Sequence, residues 1–403
     1  MSQDMSVHGA VPINSNPVTR FFENLQSAFL DEFEKDVANL SITLKKRPTQ
    51  FEISSGNDGA DEIILAFGKD TTPRQITYSW PGKSPHEAWR FSCILRVLSL
   101  IFEAVQDNLL ISKRSIYYDN PDLFGSQTVV DSIVDDISYT IGVNRASLHV
   151  ISVGKGLIAG AARITTKAQS LFDISAGDVL IPRLADIKSL DLSEIKWIII
   201  VEKEAANKQQ AVFRRLVHNR FYMTSTAGKG ILLTGKGYPD ICSREFVHLL
   251  SDIVVRNQSS IIPDINITSP SQKPRFFALV DGDPDGLAIM STYKYGSMAH
   301  AHESARLNVP SLEWLGTRIS DVIAEMTKFE NDDWMSMLLS RRDTKKIQTL
   351  LSNNPVFAED GPQPDWRAGL QIMMMLNIKV ETEVLYEASG SLERWIDSKM
   401  MSL

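Results

Sequence analysis

Only two cysteines occur in the 403 residues, Cys93 and Cys242, far apart and without a Cys-x-x-Cys pair. That argues against a disulfide framework and against a cysteine-based zinc site, and it fits a reducing compartment. No apolar run reaches the roughly 18 residues that a membrane-spanning helix needs. The first 20 residues lack the charged-then-apolar pattern of a secretory signal, so an intracellular protein without a membrane segment is expected. Excess positive charge is also absent: the formal net charge is -7, so any contact with nucleic acid has to come from local patches. No complete nucleotide-triphosphate motif is present. Gly230-Ile231-Leu232-Leu233-Thr234-Gly235-Lys236-Gly237 meets most of the phosphate-binding loop pattern, but it ends in glycine where Ser or Thr must reach the metal, and its middle reads as a strand.

What is present suits two domains plus extensions. Phe22, Leu25, Phe29, Phe33 and Val37 mark one face of a helix within residues 21–40, inside an N-terminal extension expected to run over residues 1–60. Lys45 to Gly59 is charged and turn-rich and reads as a linker, with short strands expected at Ile63-Ile64-Leu65 and Gln75-Ile76-Thr77-Tyr78. Helical spacing follows in Phe91, Ile94, Leu95, Leu98, Phe102 and Val105, then a short segment at 112–119, then Val130, Ile133, Val134, Ile137 and Ile141. The apolar runs Leu148–Val153 and Leu157–Ile164, joined by Gly154-Lys155-Gly156, signal a β-hairpin. Three helices and a hairpin describe a winged helix-turn-helix over residues 61–185; a small helical domain with a structural hairpin is the plainer alternative.

After Asp191 strands and helices alternate: strands at 196–201, 230–234, 276–280 and 312–315, helices at about 208–221, 243–257 and 286–299. The fold class expected is therefore α/β plus α+β, with an α/β domain over residues 190–403 whose sheet is mainly parallel. In the tail, Met373-Met374-Met375 reads as adaptable core packing.

The chemistry gathers at two strand ends. Phe276-Phe277-Ala278-Leu279-Val280 runs into Asp281-Gly282-Asp283-Pro284-Asp285-Gly286, and Trp197-Ile198-Ile199-Ile200-Val201 runs into Glu202. Ligands of open parallel sheets sit at the carboxyl ends of the strands, so Glu202, Asp281 and Asp283 form a plausible oxygen set for magnesium. Asp285 is either a group behind those ligands or a helix N-cap. The acids begin like a calcium-binding EF-hand loop, yet Thr292 stands where a bidentate Glu is required, Pro284 is interior, and a strand precedes the loop. A second candidate is Lys113-Arg114-Ser115-Ile116-Tyr117-Tyr118, in which Arg114 stands four residues before Tyr118 on a shared helix face. A tyrosine of ordinary pKa near 10 is about one-thousandth ionised at pH 7, and a neighbouring cation lowers such a pKa by about one to three units. Taken alone, a Tyr-Tyr pair at a helix end is usually packing.

Together, Arg114-x-x-Tyr117-Tyr118, Val201-Glu202-Lys203-Glu204, Thr234-Gly235-Lys236-Gly237-Tyr238-Pro239-Asp240, Asp281-x-Asp283-Pro284-x-Gly286 and Tyr293-Lys294-Tyr295-Gly296-Ser297 resemble the meiotic DNA double-strand-break transesterases, the eukaryotic relatives of the topoisomerase VI A subunit. The resemblance runs from about residue 86 to near 399. It implies a winged-helix domain carrying the nucleophile Tyr118 with Arg114 beside it, and a Toprim domain in which Glu202, Asp281 and Asp283 bind Mg2+. It also implies DNA contact by Lys155 in the wing turn and by Lys113, and an exchange that needs no ATP and leaves a 5′-phosphotyrosyl link. Further implications are a homodimer with composite sites, double-stranded DNA as substrate, a separate topoisomerase VI B-type subunit, meiotic accessory proteins and a nuclear location. Lys45-Lys46-Arg47 is by itself a weak nuclear signal and more often a solvated turn. The pattern departs from the family at Ala206 to Ala211, six residues that precede Val212-Phe213-Arg214-Arg215-Leu216. Alternatives of other classes are a type IIB topoisomerase that reseals its break, a non-catalytic DNA-binding relative, and a Toprim hydrolase or primase.

Overall fold

The computed structural model describes residues 16–35, 39–48, 51–55, 63–68, 73–151, 154–168, 171–203, 212–256, 265–298, 306–326, 337–384 and 392–403. Contacts divide the chain into two compact units: residues 1–49 with 70–152, and residues 50–69 with 153–403. No helix among the described residues is long and apolar enough to cross a membrane.

The first unit is built from helices with explicit start signals. Asn16 caps Pro17–Phe33 and Ser84 caps Pro85–Gln106, each with proline at the first position, and Gly142 ends Gln127–Ile141 in the left-handed conformation. Leu40–Lys46 and Arg74–Trp80 pair antiparallel. Val18, Phe22, Ile42 and Leu44 join Phe91, Ile94, Ile133 and Ile137 in one core. Residues 16–46 thus contribute a helix and a strand to this unit, where the sequence suggested an extension running into a linker. The segment after 45 is part strand as well: Phe51–Ser55 pairs antiparallel with Ile63–Phe67, in the second unit. Lys46 and Arg47 do not form a solvated turn, because their cations face the buried carboxylates of Asp135 and Asp136.

The second unit holds a six-stranded sheet in the order Val179–Leu180, Leu157–Gly160, Gly230–Thr234, Trp197–Val201, Arg275–Leu279, Leu312–Gly316. The last four are mutually parallel; Leu157–Gly160 runs antiparallel to Gly230–Thr234, and Val179–Leu180 at the edge runs antiparallel to Leu157–Gly160. Every residue of Trp197–Val201 and Gly230–Thr234 is buried, as the unbroken apolar runs require of strands covered on both faces. Strand alternation separates them: Ile198, Ile200, Ile231, Leu233 and Phe276 face one core, and Trp197, Ile199, Val201, Leu232 and Phe277 the other. A second sheet contains Asn266–Thr268, Ile187–Asp191, Arg163–Thr166 and Leu171–Phe172.

The expected wing hairpin is corrected. Val150–Ile151 pairs parallel with Ile111–Ser112 in the first unit, whereas Leu157–Gly160 pairs with Gly230–Thr234 and Val179–Leu180 in the second. Glycine gives the Gly154-Lys155-Gly156 segment turn freedom, but the amides of Lys155 and Gly156 donate to Asp240 Oδ2 at 2.9 and 3.3 Å, and each flanking run finds its ladder elsewhere. The methionine run is also corrected: Met373 is buried at 1% exposure but Met375 is 83% exposed, since successive helical residues turn by about 100° and three in a row cannot share one face.

Gly230 lies against the Trp197 indole, where an added Cβ would meet ring atoms at 2.2 Å. Gly230→Ala is expected to lower stability by about 1–3 kcal/mol through overpacking. An unchanged denaturant midpoint would show that the indole is not held there.

Candidate active site

Two adjacent parallel strands carry the acids. Val201 is in register with Leu279, so Glu202 and Asp281 leave the sheet at the same edge. Glu202 N donates to Leu279 O at 3.1 Å, and Asp281 N donates to Glu202 Oε2 at 2.9 Å. Both side chains are buried, at 6% and 2% exposure. Asp283 caps the helix Pro284–Tyr295, its Oδ1 accepting from Gly286 N at 2.7 Å. The cap is therefore Asp283, and Asp285 instead pairs with the Lys346 ammonium, beside Tyr238. Gly286 is required, because a Cβ there would meet Asp281 O at 2.3 Å and Glu202 Oε2 at 3.0 Å.

Groups distant in sequence complete the site. Asp281 Oδ1 accepts from Thr382 N at 3.0 Å and Thr382 Oγ1 at 2.8 Å, and Thr317 Oγ1 stands 3.2 Å from Thr382 Oγ1. The acid loop is tied to this segment by Gly282 and Val380, which exchange backbone hydrogen bonds of 2.8 and 3.1 Å. The Lys203 ammonium forms an ion pair with Asp281 Oδ2. Glu383 Oε2 is buried and has no hydrogen-bond partner among the described residues. No sequence signal marked Thr382, Glu383 or Lys346 for this edge. Lys203 lay inside a quoted motif, but nothing in its spacing predicted an ion pair with Asp281.

Burial, followed by the charges of Asp281 and Asp283, pushes the Glu202 carboxyl up to about 8. Asp283 is raised by burial first, although its bond from Gly286 opposes the shift. Burial also raises Glu383, with Asp281 adding to it. Among the described residues no three carboxylate, histidine or cysteine side chains stand together in ligand geometry. The donor type nevertheless suits a hard divalent cation: all-oxygen, buried, and repelling one another.

In the first unit, Lys113–Asp119 is a seven-residue helix whose Ile116 is buried. Arg114 and Tyr118 are both exposed, Tyr118 at 66%, while Tyr117 packs against the core with its ring centroid 5.4 Å from that of Tyr118. Lys113, expected to face DNA, turns inward: its Nζ donates to Asp135 Oδ1 at 2.6 Å, and Arg145 Nη2 reaches the same oxygen at 2.6 Å. Two buried aspartates within a ring of cations draw it there. Lys155 is exposed in the second unit, its Nζ donating to Lys236 O at 3.2 Å. Residues 206–211 lie outside the described residues.

A short helix presenting an arginine and a tyrosine, on a chain whose α/β unit gathers acids at two strand ends, is what a type IIB topoisomerase-like chain is expected to carry. The family model described as "Type IIB DNA topoisomerase" matches residues 89–150, and that of the Toprim domain common to Spo11 and the A chain of topoisomerase 6 matches 197–255 and 269–399. The chain belongs to this Spo11/topoisomerase 6 family. Its relatives include the human meiotic recombination protein SPO11, 35% identical over 81% of this chain and 73% of that protein. The fission yeast (Schizosaccharomyces pombe) meiotic recombination protein rec12 is 33% identical over 96% of each chain. The A chain of DNA topoisomerase 6 from Arabidopsis thaliana is 29% identical over 72% of this chain and 60% of that protein.

A glutamic acid with an ordinary value of 4.5 and a folded value of about 8 binds its proton more tightly folded than unfolded. Its contribution is fully present below the unfolded value and is lost as pH rises towards 8. In metal-free protein, Glu202→Gln is therefore expected to match the wild type near pH 5 and to melt at least ~2 °C higher near pH 9, about the shift that 1 kcal/mol produces. Parallel melting curves across that range would remove the buried charge from Glu202.

Proposed function

We propose that the chain is a topoisomerase-like DNA transesterase that makes the double-strand breaks initiating meiotic recombination. The observation that carries this reading is the exposed Arg114–Tyr118 helix face in a segment matched by the type IIB model, on one chain with the acid-bearing Toprim edge. Among the relatives, those named for meiotic recombination in fission yeast and Arabidopsis are covered over 96% and 97% of their own length, against 60% for the Arabidopsis topoisomerase chain. That favours the meiotic reading over that of a topoisomerase chain.

In the reaction, the Tyr118 phenolic oxygen attacks a backbone phosphorus. One P–O bond forms to tyrosine and the P–O bond to the 3′ oxygen breaks. The phenolic proton is released to solvent and the departing 3′ oxygen takes one up, leaving a 3′-hydroxyl and a 5′-phosphotyrosyl link. Ester exchanges for ester, so this chain needs no ATP for the step. Arg114, four residues before Tyr118, stabilises the charge on the attacked phosphate. Glu202, Asp281 and Asp283 would hold Mg2+, which supplies charge neutralisation at the phosphate when bound. Thr382 fixes Asp281 by two hydrogen bonds and Gly286 lets the helix close on Glu202. Lys155, exposed near that edge, faces DNA. Lys113, committed to Asp135, is left out of the DNA contact.

Two attacks on opposite strands require two tyrosines, hence a homodimer on double-stranded DNA in which the tyrosine of one protomer meets the acids of the other. The likeness to topoisomerase VI points to a B-type partner, with meiotic accessory proteins. Action on chromosomal DNA implies the nucleus.

The test is incubation with partners and magnesium on supercoiled DNA, a detergent stop, and detection of covalently bound protein. Tyr118→Phe is expected to abolish the adduct and Tyr117→Phe to leave some. Loss of the adduct in Tyr117→Phe alone would overturn the assignment, and cleavage without any adduct would mark a metal hydrolase. Asp281→Asn is expected to weaken magnesium-dependent binding or cleavage by about tenfold or more. An unchanged magnesium titration would take Asp281 out of the site.

A further inference from the structure

The tyrosine helix is anchored unequally at its two ends. At its start, Ser112 Oγ accepts from Ser115 N at 2.9 Å, Lys113 is held by Asp135 at 2.6 Å, and Ile116 is 1% exposed. Tyr118 lies in the last turn, where its described ring contact is with Tyr117. The residue that ends the helix is Asp119, whose negative charge stands at the carboxyl end, the less favourable end of a helix dipole. Its carboxylate is gripped from the neighbouring helix Pro85–Gln106. Arg96 Nε donates to Asp119 Oδ2 at 2.8 Å and Arg96 Nη2 donates to Asp119 Oδ1 at 2.8 Å. A planar two-bond fork fixes direction as well as distance.

We propose that Arg96 and Asp119 are a positioning pair that orients the Tyr118 phenol for attack. This rests on reading Tyr118 as the nucleophile. The pair is partly exposed, at 37% and 29% of its side-chain surface, and such an ion pair adds little to global stability. The pair restrains the final turn of a helix too short to be rigid alone, and small misplacements of a reacting atom cost rate steeply.

Charge separates this role from DNA attraction. Arg96→Gln removes a positive charge and Asp119→Asn removes a negative one, so their effects on DNA affinity have opposite signs. A positioning pair predicts that both slow single-turnover adduct formation at saturating DNA by about tenfold. The reversed pair Arg96→Asp with Asp119→Arg recovers part of the rate, and Arg96→Lys, which cannot form the fork, recovers none. Melting temperature should stay nearly constant throughout. A readout independent of cleavage is 19F relaxation of fluorotyrosine at position 118, expected to report a more mobile ring in both single variants. If Asp119→Asn keeps the wild-type rate, or if ring mobility is unchanged in both variants, the positioning role is overturned. Tyr118→Phe in the same assay separates the failures: an adduct that survives it sinks the nucleophile, whereas an adduct lost in Tyr118→Phe but unaffected in Asp119→Asn sinks the pair alone.

Discussion

Much of the second unit is organised around two carboxylates that are buried side by side. Parallel pairing of Trp197–Val201 with Arg275–Leu279 brings Glu202 and Asp281 out at one edge, and both are nearly inaccessible to solvent. Like charges in a low-dielectric place repel strongly, and burial disfavours each charge separately. The surrounding residues act to offset that cost. Asp281 N donates to Glu202, Thr382 donates twice to Asp281, and the Lys203 ammonium faces Asp281. Gly286 lacks a side chain where one would collide with both acids. Burial and the charges of Asp281 and Asp283 still push the Glu202 carboxyl up to about 8, and a divalent cation is the ordinary chemical remedy for such a cluster.

The first unit solves the opposite problem. Tyr118, the proposed nucleophile, is exposed, while Ile116 and Asp135, which anchor its helix, are buried. Part of the anchoring is by charge: Asp135 and Asp136 sit inside the unit, and Lys46, Arg47, Lys113 and Arg145 close on them. Breaking one partner of such a cluster leaves a buried charge unpaired, which costs more than the pair itself contributes. The helix therefore starts from a fixed point and ends at a freer one. An exposed tyrosine at the freer end can meet DNA, but its direction then depends on whatever grips that last turn.

The strands and helices of the α/β unit were readable because their apolar residues run unbroken or recur at 3.6, and the acids were readable because they follow such strands directly. The wing was misread for a physical reason. Glycines around Lys155 permit a turn but do not choose a partner, and Asp240, 85 residues later, claims the amides. Lys113 read as a DNA contact and Lys46 as part of a solvated turn because their partners, Asp135 and Asp136, lie far along the chain on the helix Gln127–Ile141. Thr382 is 101 residues from Asp281, and only the folded chain brings them together. Charge at a distance and hydrogen bonds across the fold leave no local periodicity.

Asp240 joins two features that the sequence presented as separate. Its carboxylate accepts from Ser243 N at 2.8 Å at the start of the helix Ile241–Arg256, and from the amides of Lys155 and Gly156. In the loop just before it, Gly237 N donates to Glu202 O at 2.8 Å. A single short loop thus connects the backbone under Lys155 to the backbone of Glu202. Lys155 also donates to the carbonyl of Lys236 in that loop. The glycines of Gly235-Lys236-Gly237 let the chain bend between the strand end and Asp240, with Gly235 packed where a Cβ would meet Tyr293 Oη at 2.7 Å. What resembles a phosphate-binding loop in the sequence is, in the fold, the connection between a basic surface residue and the buried acid.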